Sequence, residues 1–230
     1  MRGTLSSGAL TCAMILVLAA PAVAQTSSPK PAPGPAPAPV PPKIGMRAYF
    51  LIDTNALSAS ETFNATMGSS TFSALGGGGE VLNIWSGLFA RVAFSSMKES
   101  GTRVAVIDGA VVPLGIPLTV EMKPLEIAGG WRFPRRKSPR FTPYGGAGYV
   151  KLAYKETSEF ASPEEESDES FSGFVGFGGL EVVVWKWIVV GGEVQYRSIA
   201  GALGTGGASQ AFNETNLGGT TFRFLMGVRR

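Results

Sequence analysis

Polarity alternates with a period of two along Phe141-Thr-Pro-Tyr-Gly-Gly-Ala-Gly-Tyr-Val-Lys-Leu-Ala-Tyr-Lys155, with Val150, Leu152 and Tyr154 on one face and Tyr149, Lys151 and Lys155 on the other. That period belongs to a half-buried strand and not to a helix. Comparable runs predict eight strands, over residues 44–55, 77–85, 88–98, 117–132, 141–155, 171–185, 188–200 and 217–229. Short links at Ser86-Gly87, Pro134 to Arg140 and Lys186-Trp187 alternate with long ones at Ala56 to Gly76, Glu99 to Ile116, Glu156 to Ser170 and Gly201 to Asn216. Past the N-terminal leader, no apolar segment approaches the roughly 18 residues a transmembrane helix needs, so spanning would fall to strands. One-sided strands with alternating link lengths predict an all-β, eight-stranded antiparallel up-and-down transmembrane barrel. Short turns and both termini are expected in the periplasm, and long loops outside.

The leader carries Arg2, an apolar run Ala13 to Ala20, and small residues at Ala22-Val-Ala24, the pattern of a signal peptide over 1–24 cut before Gln25. The only cysteine, Cys12, precedes the apolar run, so lipoprotein acylation, disulfides and a thiol site are excluded from the expected mature chain. Residues 25–43 are dominated by proline and lack the amide donors and apolar side chains of packed structure; they predict an extended periplasmic tether. The barrel domain is expected over 44–230.

Charged side chains are taken to mark the lumen. Arg47, Asp53, Arg91, Glu121, Lys123, Lys151, Glu181, Glu193, Arg197 and Arg223 then form a structural network filling it, against neighbours such as Phe50, Val92, Leu180, Val194, Phe222 and Phe224 on the lipid side. In the fourth strand this assigns Val120 and Met122 to lipid, so keeping Leu125 and Ile127 there as well requires a bulge at Pro124. Trp85, Trp131, Trp185 and Trp187 all fall beside short turns, as an interfacial aromatic girdle would.

Several chemistries are excluded. The 230 residues contain no histidine, which removes imidazole triads and the usual nitrogen-ligated metal sites; no cofactor, metal or catalytic residue is assigned, and no enzyme is expected. The glycine groups Gly76 to Gly79, Gly176-x-Gly178-Gly179 and Gly204-x-Gly206-Gly207 neither follow a strand into a helix nor contain Gly-Lys-Ser/Thr, so they serve close strand contact or turns and not phosphate loops. A net charge of +3 is too small to imply nucleic acid. Charge is uneven, however, with Arg132, Arg135, Arg136, Lys137 and Arg140 around one turn and a third long loop rich in acid from Glu156 to Glu169. The basic turn is a candidate contact for anionic headgroups of the inner leaflet.

Pro143-Tyr-Gly-Gly-Ala-Gly-Tyr149, Gly178-Gly-Leu-Glu181, Gly192-Glu-Val-Gln-Tyr-Arg197 and Gly219-Thr-Thr-Phe-Arg-Phe224 resemble the small eight-stranded outer-membrane β-barrel domain family, with OmpA-like and OmpW-like barrels as relatives. The resemblance covers residues 44–230. It implies residence in the cell outer membrane and contact with outer-membrane lipid. The Gly219-x-x-Phe222-x-Phe224 pattern resembles the signal recognised by the barrel insertase during assembly, displaced from the C-terminus.

The leading expectation is an integral, surface-exposed or structural barrel with a filled lumen. Two alternatives stay open: an OmpW-like channel for small hydrophobic molecules, whose entrance residues such as Phe63, Met67, Phe72, Val104, Ile107, Val111 and Val112 would line, and a secreted soluble barrel binding a lipophilic ligand. Oligomeric state is left open.

Overall fold

Eight antiparallel strands close in sequence order into a barrel, each paired with the next and β8 with β1. They are β1 (Gly45–Leu57), β2 (Thr71–Leu82), β3 (Leu88–Ile107), β4 (Ala110–Arg132), β5 (Phe141–Thr157), β6 (Ser167–Val183), β7 (Ile188–Ala200) and β8 (Gly219–Arg229), with one helix among the described residues, α1 (Ser60–Met67). Closure leaves no edge strand with unpaired backbone groups. The computed structural model describes residues 44–107, 110–133, 140–158, 167–201, 203 and 211–229. The expected signal peptide and tether, Arg135 to Lys137 of the basic turn, Glu159 and Glu164 to Glu166 of the acidic loop, and the glycine group at 204–207 lie outside the described residues.

The stagger of the barrel can be counted from its pairs. Val190 faces Met226, Met226 faces Phe50, and the row continues through Gly77, Phe94, Leu125, Lys151 and Ser172 to Ala200, ten residues further along β7 than it began. Strands must tilt to produce such a stagger, and an eight-stranded barrel of this kind has an interior that side chains just fill.

Short and long connections alternate as expected except between β3 and β4, where strand takes the place of the expected long loop; the long connection between β1 and β2 also contains regular structure. Thr71-Phe-Ser-Ala-Leu75 already alternates, with Phe72 and Ala74 buried, so β2 begins six residues before the predicted start at 77. Between β1 and β2 lies α1, which packs on β3 at Gly101; a Cβ there would stand 2.2 Å from the Thr66 carbonyl oxygen. The stretch from Glu99 to Ile116, expected as a loop, continues the β3–β4 ladder to Ile107 opposite Ala110. Since β4 meets β5 only from Thr119 onward, this hairpin projects beyond its neighbours.

No bulge occurs at Pro124. The β3–β4 ladder lacks bridges at Lys123 and Pro124, where proline has no N–H to give, and resumes in the same register at Met122 opposite Met97. Its one shift falls between Thr102 and Val104. Alternation therefore runs unbroken through β4, with Val120, Met122, Pro124, Glu126 and Ala128 inside and Glu121, Lys123, Leu125 and Ile127 outside. The sequence expectation for Val120 and Met122 is reversed.

Candidate functional site: the barrel lumen

Inward side chains along β1 pass in order through Arg47, Tyr49, Leu51, Asp53 and Asn55, and each marks a layer. At the short-turn end Arg47 lies 2.5 Å from Glu80 and 2.6 Å from Glu181, and Arg132 bonds Glu181 as well. Two cations here face two anions.

Above this sits an aromatic shelf. Phe89 meets Tyr144 edge-on at 6.1 Å and Phe177 at 6.2 Å, while the Arg91 guanidinium lies 3.6 Å from the Phe177 ring centroid. Four luminal rings are directly opposite a glycine: Tyr49 by Gly78, Phe89 by Gly130, Tyr144 by Gly179 and Phe177 by Gly146. A Cβ on any of these four glycines would come within 2.6 to 2.7 Å of the ring it faces. The rings thus lie flat over the hollows that missing side chains leave, a known way of recovering the stability glycine loses in a strand. This gives the glycine-rich segments their structural purpose.

The central layer is ionic. Asp53 receives Arg223 at 2.7 and 2.8 Å and Arg197 at 3.3 Å; Glu126 receives Arg197 at 2.6 Å and Arg223 at 2.9 Å; Glu193 receives Arg91 at 2.5 and 2.9 Å. Arg91 to Glu126 at 3.9 Å and Arg223 to Glu193 at 4.0 Å join these into one cluster. Asn55, Gln195 and Thr221 add hydrogen bonds to this layer: Arg197 and Thr221 donate to the Asn55 side-chain oxygen, and Gln195 donates to Glu193. Asp53 is fully buried and Glu126 only 1% exposed, so each charge depends on its partners, because an isolated ion here would cost several kcal/mol. Three carboxylates balance three guanidiniums. Among the described residues no group of three or more carboxylates stands free to hold a metal.

The long-loop half is apolar. Phe72, Met97, Leu118, Val120, Met122, Val150, Leu152, Tyr154, Ile199 and Leu217 form one buried cluster, closed by Phe63 and Ala59 at α1. The helix is held by Glu214, whose two carboxylate oxygens accept the Glu61 and Thr62 amides at 2.9 Å each. A cavity of about 30 Å³ beneath it is lined by Met97, Met122, Leu152 and Ile199.

Of the ten residues assigned to the lumen from sequence, Arg47, Asp53, Arg91, Glu181, Glu193, Arg197 and Arg223 point inward and meet in the two ionic layers. Glu121, Lys123 and Lys151 do not: they stand on the outer wall, where Lys123 bonds Glu121 at 2.7 Å and keeps its side chain 55% exposed. The physical reason is that charge marks the lumen only at hydrocarbon depth. Nearer the long loops an outward charge can be solvated, and the interior is filled with apolar groups instead. Glu126, Glu80 and Arg132 were missed. Unbroken alternation from Ile127 would have found Glu126; Glu80 borders the glycine run, whose lack of side chains hides its facing. Arg132, assigned to the basic turn, reaches back into the lumen. The four tryptophans lie at the short-turn end, with Trp85 edge-on to Trp131 at 6.2 Å and Trp185 and Trp187 exposed in the β6–β7 turn.

Fold and lumen together define a closed, eight-stranded antiparallel up-and-down β-barrel with an apolar outer wall and ionic layers inside. Among solved structures, the chain is similar to the outer membrane protein OprG of Pseudomonas aeruginosa, at 12% identity over 81% of this chain and 95% of that one, with a TM-score of 0.52. It is also similar to the attachment invasion locus protein Ail of Yersinia pestis (9% identity, 82% and 99% covered, TM-score 0.49) and to a major outer membrane protein of Thermus thermophilus (9%, 80% and 99%, 0.48). No protein-family model matches the chain, and no curated protein matches it in sequence. At such identities the likeness is one of fold.

Proposed function

We propose that this protein is an integral barrel of the cell outer membrane that holds its long loops at the surface, with a lumen closed to solutes by its own side chains and no catalytic step. The carrying observation is the inversion of polarity between its two surfaces. Phe50, Ile52, Val92, Phe94, Leu125, Ile127, Leu180, Val194, Phe222, Phe224 and Met226 all stand more than 40% exposed on the outer wall, while the arginines and carboxylates of the two ionic layers are inside. Water would not stabilise that wall; lipid does. Outward Phe222 and Phe224 on the closing strand also suit presentation to a barrel insertase.

Closure of the lumen is supported by the paired ionic layers and by the small size of the cavity beneath α1, whose volume of about 30 Å³ is about a tenth of the lower bound typical of ligand pockets. Two measurements test the reading. The protein should remain with outer membranes after carbonate or urea washing, and it should show little or no steady conductance in planar bilayers. Release by the wash would favour the soluble barrel; a large, stable conductance would favour transport.

A further inference from the structure

Four lysines stand together on one side of the outer wall. Lys98 on β3, Lys123 on β4, and Lys151 and Lys155 on β5 are all exposed. Lys98 is opposite Glu121, Glu121 opposite Lys155, and Lys123 opposite Ala153, so Lys98, Lys123 and Lys151 occupy successive diagonal positions on three adjacent strands. Diagonal neighbours are about 7–8 Å apart. Directly paired positions climb toward the long-loop end from β3 to β7, as the row from Phe94 to Ala200 shows, and each diagonal step descends again. The three ammonium groups therefore run nearly level around the circumference.

Below them the wall becomes apolar, at Leu125 and Tyr149 directly beneath Lys123 and Lys151, and at Phe94 past Ser96 beneath Lys98, with Tyr149 edge-on to Phe174 at 6.4 Å. Elsewhere around the same end the outward positions include Thr54, Ser73, Ser172, Ser198 and Thr220, which carry no charge. The lysines are thus one-sided. Glu121 is taken up by Lys123, and Asp168 lies opposite Lys155, which leaves the excess positive charge at Lys98 and Lys151.

We propose that this row is a docking site for the phosphate groups of an outer-leaflet lipid headgroup. The inference rests on the outer-membrane reading above. Lysine stems lie along the apolar wall while their ammonium groups rise to headgroup level, where strong anions spaced along one lipid can bridge them. Neutral hydroxyls on the remaining wall offer no such attraction.

The test uses the chain refolded in dodecyl maltoside, with diphosphoryl lipid A as probe and native mass spectrometry as readout. The comparison variants are Lys98→Gln/Lys123→Gln/Lys151→Gln together, the same three positions changed to Arg, and Lys186→Gln at the opposite end. All are surface changes, and a heat-modifiability gel verifies folding of each. Each lysine contributes about fivefold, so the Gln triple variant should bind about a hundredfold more weakly. The Arg triple and Lys186→Gln should bind like wild type, and added salt should weaken binding. Equal affinity of wild type and the Gln triple, equal affinity for lipid A stripped of its phosphates, or displacement by millimolar inorganic phosphate would each overturn the proposal. Insertion of the same preparation into phosphatidylcholine vesicles is scored separately: failure there would sink the membrane reading itself, whereas insertion without discrimination among lipids would sink only this inference.

Discussion

Removing the Glu126 carboxylate should cost far more than removing that of Glu121, although only five positions separate them on one strand. Glu126 faces Arg197 at 2.6 Å, Arg223 at 2.9 Å and Arg91 at 3.9 Å, and is 1% exposed. In Glu126→Ala the central layer would hold three guanidiniums against Asp53 and Glu193. Breaking a buried pair by deleting one partner costs about 3–5 kcal/mol. Asp53 still contacts both Arg197 and Arg223, which places the expected loss near the lower end, about 3 kcal/mol, or more than a hundredfold in the folding equilibrium. Glu126→Gln keeps volume and an acceptor oxygen but loses the charge, and should fall between Ala and wild type. Glu121→Ala removes only an outward carboxylate bonded to an exposed lysine, and should stay within about 0.5 kcal/mol. The assay is urea unfolding from phosphatidylcholine vesicles, followed by tryptophan fluorescence. Equal destabilisation by Glu121→Ala and Glu126→Ala would refute the register of β4 and, with it, the assignment of the central layer.

Other outcomes follow from particular contacts. Gly78→Ala would place a Cβ 2.3 Å from the Val92 carbonyl oxygen and 2.6 Å from the Tyr49 hydroxyl, for a loss of about 1–3 kcal/mol, whereas Gly176→Ala, with nothing within 4 Å, should be silent in the same unfolding assay. Val194→Arg should cost about 2–4 kcal/mol if the position lies near the bilayer midplane, and a neutral effect on vesicle insertion and stability would contradict the outward facing of β7. Glu214→Ala removes both acceptors from the start of α1, so amides 61–67 should exchange faster by hydrogen–deuterium measurement while those of β1 and β8 stay protected. With an impermeant maleimide on intact cells, a cysteine at Ala110, on the projecting hairpin, should label and one at Lys186 should not; the reverse pattern would invert the proposed orientation.

How much of this was legible in the chain differs by depth along the barrel. Period-two alternation is a local property, since successive side chains of a strand must point to opposite faces. It was enough to specify eight strands, their order, and the inward facing of Arg47, Arg91, Glu193, Arg197 and Arg223, whose outward neighbours such as Ala48, Val92, Val194, Tyr196 and Phe224 mark the other face. Where both faces carry mixed polarity the local signal loses its meaning. Val150, Leu152 and Tyr154 fill the lumen and Lys151 and Lys155 face out, because the long-loop half of the interior is closed by an apolar cluster and by α1, and no single strand shows that. Only the closed sheet decides that Glu126 and not Glu121 meets Arg197 and Arg223. Partners across the lumen are 71 and 97 residues apart in the chain, and they are brought together by the stagger of the whole barrel. The fit of Tyr49, Phe89, Tyr144 and Phe177 over facing glycines is likewise a matter of register between strands, since a glycine in one strand reveals its purpose only when its neighbour is aligned. The sequence by itself determined which segments become strands and which of their faces meets lipid at mid-depth. Tertiary structure decided which charges pair, what fills the mouth, and which lysines remain outside, because those depend on contacts between strands that no local pattern encodes.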